Sequence, residues 1–202
     1  AEGNEIGLFF YQSALGASED SPFGYQKTKA EAEGLVKNSG LPYLIFRPSL
    51  IIGKLDGFSL RMKELIQNSP VIPVPGNGKS LFQPLYIGDW VRCLLKAIKT
   101  PAFYNRTIEL GGPERISYNE ILEMYMEALG VRKKIVHLPA GLVKATLPLS
   151  SIGRALGMKI PQASRDQIDL LQMDNITDPS LIEREFGFTP RRLKEYLQEV
   201  FR

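Results

Sequence analysis

The residues best placed to do chemistry sit in "SPFGYQKTKAEAE", where Tyr25 and Lys29 are four positions apart. On a helix that spacing brings both side chains to one face, about 5–6 Å apart at Cβ. A phenol is a weak acid, with a reference pKa near 10, and an ammonium beside it favours the phenolate. Such a pair gives a proton to a carbonyl being reduced, or takes one from an alcohol being oxidised. The same spacing also arises on any solvated helix face, so the pair needs its context. Ser13 lies twelve positions earlier, at the end of an apolar run, where a hydroxyl could hold a substrate oxygen.

Other catalytic classes have little material. His137 is the single histidine and Cys93 the single cysteine, so an internal disulfide, a cysteine-cluster metal site and a zinc pair are all excluded. A structural role is expected for His137. The "PVPGNGKS" stretch ends like a phosphate-binding loop, but Pro73 stands where the first glycine belongs, and a surface turn is expected at Gly76 and Gly78. The chain has 202 residues, 44% hydrophobic and 23% charged, with a net charge of +3. That composition supports a sizeable core and carries no dense basic run, so nucleic acid is not an expected partner. No apolar run is long enough to span a bilayer and no signal-peptide pattern appears. A basic amphipathic membrane-surface segment is not expected either. With one cysteine, a reducing, cytoplasmic setting is the default expectation.

The elements that must position these residues follow from periodicity. "GLFFYQS" (7–13) is short, apolar and aromatic, the pattern of a strand covered on both faces. Ser21 and Pro22 predict a helix start, with the helix running to about Asn38. "LPYLIFRPSLIIG" (41–53) predicts a second buried strand broken at Pro48. A helix is expected over 57–68 and an extended stretch over 82–87. Asp89 is expected to cap a helix over 90–99, with Val91, Leu94, Leu95 and Ile98 on one face. A third strand and a turn are expected over 105–113. Ser117 and Glu120 read as a capping box for a helix to Ala128. A strand is expected over 133–139 and mostly helix beyond. Strands alternating with helices argue an α/β fold with a parallel sheet.

The ordered set strand–Ser13–loop–"YQKTK"–helix–"LPYLIFRPSLIIG" resembles the short-chain dehydrogenase/reductase superfamily. It is most similar to the extended and atypical members of the NAD-dependent epimerase/dehydratase kind, which include relatives of the respiratory complex I 39 kDa-type subunit. "GNGKSLFQPLYIGDW" and "TIELGGPERISYNEILEMYMEALG" resemble later segments of that family. The resemblance implies a partial Rossmann-type parallel sheet over 1–112, with substrate loops at 49–88, and a small, mostly helical substrate-side subdomain over 113–202. It implies NAD or NADP as cofactor and a small molecule as substrate. Tyr25 becomes the general acid/base, Lys29 the cation beside it that also holds nicotinamide ribose, and Ser13 the orienter of the substrate oxygen. Pro48, Ser49 and Leu50 would meet the nicotinamide end. Lys79, Gln83 and Tyr86 are candidate substrate contacts. Leu81 and Phe82 stand near the place where sugar-nucleotide members carry a phosphate-binding arginine, which weakens a nucleotide-sugar reading.

The family's glycine-rich turn is not found: "GNGKSL" has Leu81 in place of the third glycine. The chain therefore resembles the carboxyl two-thirds of such a protein, short of roughly a hundred residues. By itself it is expected to bind a dinucleotide weakly and to be inactive. The strand near 7–13 would then be an open sheet edge, leading either to self-association or to the reading that the parent chain is longer. The alternative function is a non-catalytic nucleotide-binding or assembly protein on the same fold.

Overall fold

The computed structural model describes residues 6–145 and 165–201. In chain order these form β1 (Phe9–Gln12), α1 (Gly24–Lys37), β2 (Tyr43–Pro48), β3 (Ile51–Ile52), α2 (Gly57–Asn68), β4 (Ile72–Pro75), β5 (Leu81–Phe82), β6 (Leu85–Tyr86), α3 (Ile87–Ala97), β7 (Arg106–Leu110), β8 (Ile116–Ser117), α4 (Tyr118–Ala128), β9 (Ile135–Leu138), α5 (Arg165–Leu170), a π-helical turn (Ile182–Phe186) and α6 (Leu193–Val200). They divide into two compact units. The first takes the described residues to Ile51, then Gln83–Glu114 and Asn175–Leu193. The second takes Ile52–Phe82, the described part of Arg115–Asp174, and the residues from Lys194 on. In chain order the segments of the two units alternate. Residues 52–82 belong with the later segment and 175–193 return to the first, because long-range packing rather than chain order sets the grouping.

The first unit is built on a parallel sheet in the order β1-β2-β7. Phe46 pairs with Gln12 on one side and Ile108 on the other. The central strand β2 has Leu44, Ile45 and Phe46 fully buried in succession, as a strand covered on both faces requires. Phe46 meets Phe10, Trp90 and Phe186 edge-to-face, at centroid distances of 5.4, 6.3 and 6.3 Å. With Leu85, Cys93, Ala97, Leu110 and Ile182 these rings make one core. Together with the helices this is an α/β, Rossmann-like architecture. Among the described residues β1 pairs on one side only, so it lies at the edge of the sheet.

Two sequence expectations are corrected here, and packing settles a third point. α1 starts at Gly24, not at Ser21: the Ser21 hydroxyl accepts from the Phe23 N–H and donates to Gln26 Oε1, closing a turn before the helix. α3 starts at Ile87, and Asp89 lies inside its first turn, accepting from the Arg191 N–H at 2.7 Å instead of capping the helix. The buried face of α3 is Trp90, Cys93, Leu94 and Ala97, while Val91, Leu95 and Ile98 face out. Both sets follow the i, i+3, i+4, i+7 rule, and only packing chooses between them.

In the second unit β4 pairs parallel with β9 and β5 pairs antiparallel with β8. The box at α4 forms as its spacing demands: Ser117 Oγ accepts from the Glu120 N–H, and Glu120 Oε2 accepts from the Ser117 N–H at 2.7 Å. Tyr125 is fully buried, and its hydroxyl lies 2.6 Å from Ser59 Oγ. The helical reading of the last third falls in part on 146–164, which lie outside the described residues.

Candidate functional site

Parallel strands that begin on one side of a sheet end on the other, and at their carboxyl ends the chain leaves backbone groups open for ligands. Ser13 follows β1, Ser49 follows β2, and Gly111 follows β7. Tyr25 and Lys29 stand on the first and second turns of α1, on one face, as their spacing predicts. Tyr25 is half exposed. Lys29 Nζ donates to Gln12 O at 3.0 Å, the last carbonyl of β1, and lies 5.9 Å from the Tyr25 ring centroid and 5.2 Å from that of Tyr11. The ammonium is thus held between two aromatic rings at the carboxyl end of the edge strand. Burial first, and the Glu33 charge second, push the Tyr11 phenol up.

Ser13 is brought to the same strand end but turned inward. Its N–H donates to Phe46 O at 2.7 Å. Its hydroxyl is buried without a hydrogen bond of ordinary geometry, on the side of the Glu33 carboxylate, whose acidity it increases. Reaching a substrate from there takes a rotation about its side-chain bond.

The residues after β2 are engaged internally. Pro48 O accepts from the Leu15 N–H and Leu50 O from the Leu85 N–H, at 2.9 and 2.8 Å. Ser49 Oγ lies 2.6 Å from Asn175 Oδ1 and 2.9 Å from Asn175 O. Gln83 is fully buried; its Nε2 donates to Gly112 O at 3.0 Å and its Oε1 accepts from the Thr177 N–H. Gln83 is therefore a structural tie in this structure. The Tyr86 ring stacks against the Arg191 guanidinium, 4.8 Å away. Lys79 is exposed in the second unit, on the turn whose Asn77 side chain accepts its N–H at 2.9 Å.

Sequence reasoning missed the segment Asn175–Thr177, which lies across these strand ends. Asn175 Nδ2 donates to Leu15 O at 3.4 Å, and Thr177 Oγ1 donates to Glu109 Oε2 at 3.0 Å. Nothing in the chain announces a contact between Ser49 and a residue 126 positions on. It also missed Glu33, although 25, 29, 33 and 37 form an evident i, i+4 row. Glu33 is buried and accepts from Arg47 through both oxygens. Burial opposes its ionisation, but the Arg47 hydrogen bonds, the Ser13 hydroxyl and Lys37 outweigh it and hold the carboxyl below its usual range.

No cluster of three or more His, Cys, Asp or Glu side chains suited to a metal occurs among the described residues. His137 Nε2 lies 3.1 Å from Asn119 Oδ1 at the surface. Cys93 is fully buried, and burial, with Asp89 adding, pushes its thiol up to about 12. No described helix is long and apolar enough to cross a membrane.

A parallel sheet with hydroxyls at its strand ends and a Tyr–Lys row beside it is a Rossmann-like arrangement. Residues 8–76 match a family of NAD-binding proteins described as male sterility protein. The chain is 29% identical over 201 residues to the mitochondrial NADH dehydrogenase [ubiquinone] 1 alpha subcomplex subunit 9 of Arabidopsis thaliana, covering 96% of this chain and 50% of that protein. Its fold matches the NADPH-dependent quinone oxidoreductase of Escherichia coli solved with NADPH, with a TM-score of 0.74 and 15% identity over 98% of this chain and 66% of that one. It also matches the UDP-glucuronic acid 4-epimerase of Bacillus cereus solved with UDP-glucuronic acid and NAD, with a TM-score of 0.66 and 19% identity over 98% of this chain and 61% of that one. The chain is similar to these proteins in sequence and shares the Rossmann-like fold of the two solved structures. It spans half or less of the length of the curated relatives it matches.

Proposed function

We propose that this chain is the substrate-side and acid/base part of an NAD(P)-dependent oxidoreductase or epimerase-like enzyme. The observation that carries this reading is the row at the start of α1. A half-exposed phenol stands one turn before an ammonium, and that ammonium is fixed to the carboxyl end of a parallel strand. In this reading Tyr25 exchanges the proton of the carbonyl or alcohol. Lys29 leaves the Gln12 carbonyl, or shares it, to reach the ribose hydroxyls of the cofactor. Ser13 rotates toward the substrate oxygen. The cofactor, when bound, supplies the hydride. Cofactor contacts come from the turn at Pro48–Leu50, and a substrate contact from Tyr86.

The test is reduction of a panel of quinones, aldehydes and ketones by NADH and NADPH, using the longest natural polypeptide that contains this chain. Tyr25→Phe should remove turnover by roughly 10²–10⁴-fold, the usual worth of a positioned proton donor, with the fold intact. Activity equal in the two proteins sinks the catalytic reading.

A second reading, a nucleotide-binding assembly protein without turnover, is favoured by one observation: the inward Ser13 hydroxyl and the internally satisfied Ser49 leave few polar groups free at the strand ends. Binding of NADH, followed by its fluorescence, with no turnover on any of the panel supports that alternative.

A further inference from the structure

Tyr11 has no part in the acid/base reading, yet it is a side chain of the sheet that meets Lys29. Side chains alternate across a strand. Phe10 points to one face of the sheet, where it packs on Phe46 and Trp90. Tyr11 and Ser13 point to the other, the face on which α1 places Lys29 and Glu33. Tyr11 pairs with Ile45 of β2, so its backbone is fixed in the sheet. The Lys29 ammonium lies over its ring, 5.2 Å from the centroid, nearer than to the Tyr25 ring at 5.9 Å.

The contacts of Lys29 are of different kinds. The Tyr25 ring stands on the same helix, half exposed, and carries the hydroxyl that engages a substrate. The Gln12 carbonyl, 3.0 Å away, is a hydrogen-bond partner that the ammonium gives up or shares when it turns to a ribose. A ring face makes no such demand. It attracts the charge within about 6 Å of its centroid and leaves the N–H groups of the ammonium free to donate elsewhere. It can therefore keep hold of the ammonium while the hydrogen bonds change hands. The attraction is that of a neutral ring, because burial and the Glu33 charge push the Tyr11 phenol up, away from the phenolate. A lysine stem is long and freely rotating, and holding it in one place costs entropy. Without the Tyr11 ring the cofactor has to supply that ordering.

We propose that Tyr11 is a positioning residue: its ring holds the Lys29 ammonium at the carboxyl end of β1, ordered in advance for the ribose hydroxyls of a dinucleotide. The ribose part rests on the cofactor role given to Lys29 above, whereas the ring contact stands without it.

Acetylation of lysines by acetic anhydride, followed by peptide mass spectrometry on the longest natural polypeptide containing this chain, tests the contact. Lys27, exposed on the same helix, is the internal reference, and Lys29 should react more slowly. Tyr11→Ile keeps an apolar, strand-forming residue and removes the ring. It should speed Lys29 by about 2–5-fold, the factor that one exposed cation–π contact is worth, with Lys27 unchanged. Tyr11→Phe, and Tyr11→Trp with its stronger π face, should leave Lys29 as slow as in the unaltered polypeptide. The same series tests the consequence. Tyr11→Ile should weaken NADH binding, followed by its fluorescence, by about 2–5-fold, and Tyr11→Phe should restore it. Lys29 acetylation equal in Tyr11→Ile and the unaltered polypeptide overturns the proposal, as does a Phe variant that behaves like the Ile variant. Faster acetylation with NADH affinity unmoved, or with no NADH bound at all, overturns the ribose part. Equal turnover in Tyr25→Phe and the unaltered polypeptide sinks the acid/base reading alone and moves neither measurement.

Discussion

Arg47 on β2 grips Glu33 on α1 through two hydrogen bonds, Nε to Oε1 at 2.7 Å and Nη2 to Oε2 at 2.8 Å. The glutamate side chain is 2% exposed, and Lys37 adds a contact at 3.2 Å from one turn on. Arg47 also faces Glu109 of β7 at 3.6 Å, and Glu109 accepts from Thr177. The chain of contacts therefore runs from the helix bearing Tyr25, across two strands, to the segment that covers the strand ends.

Arg47→Leu strands a buried carboxylate with only Lys37 and the Ser13 hydroxyl beside it. The expected loss is about 3 kcal/mol of stability, measured by urea unfolding. Glu33 titrates below its unfolded value, so its contribution is present above the unfolded pKa, near 4.3, and disappears as pH falls through the lower folded value. Unfolding followed from pH 6 to pH 2 should therefore show an acid loss that Glu33→Gln flattens. An unchanged acid limb in that variant rules this pair out as its source.

Lys29→Met removes the ammonium from the Gln12 carbonyl while leaving the helix intact, because methionine is a good helix former. Stability should change by less than about 1 kcal/mol, as for other exposed interactions. In the catalytic reading turnover should nevertheless fall about 10²-fold or more, and Lys29→Arg should restore only part of it. A Lys29→Met protein with normal turnover and normal cofactor affinity shows that the lysine is only an edge cap.

Gln83→Leu leaves the Gly112 carbonyl and the Thr177 N–H without their partner in a fully buried place. Each unsatisfied group costs about 1–3 kcal/mol, so the variant should lose about 2–6 kcal/mol and free the 175–177 segment to exchange faster. Were Gln83 a substrate contact instead, stability would hold and only the Michaelis constant would rise.

The Cys93 thiol is buried in the core, and its pKa of about 12 keeps it protonated at neutral pH. A colorimetric disulfide reagent at pH 8 should leave it unmodified in the native protein and react with one thiol once urea unfolds the chain. Rapid reaction of the native protein would show that the α3 face is not packed as described.

Ser117→Ala removes the hydroxyl that caps α4 and should cost about 1 kcal/mol. Thermal unfolding reads this directly, and a neutral result means that the Glu120 contact alone holds that helix start.

The local elements were legible because each rests on contacts a few residues long. The Ser117–Glu120 box, the helix over 57–68, the buried run of β2 and the shared face of Tyr25 and Lys29 all follow from spacing. The α3 register was not legible. Two apolar rows with the same period compete there, and Phe10 and Phe46, far away in the chain, select Trp90, Cys93, Leu94 and Ala97. Gln83 and Ser49 read as open polar groups until residues 94 and 126 positions on came to meet them.

From its sequence alone this protein was an α/β chain with a tyrosine and a lysine on one helical face, since helical period and strand alternation are properties of neighbouring residues. Only tertiary structure decided that the lysine sits on the last carbonyl of β1, that the serine beside it turns inward toward a buried glutamate, and that Arg47 is a clasp and not a solvated tip. Those outcomes depend on which segments distant in sequence share a desolvated space, where a charge or hydroxyl must find a partner, and no local pattern encodes that choice.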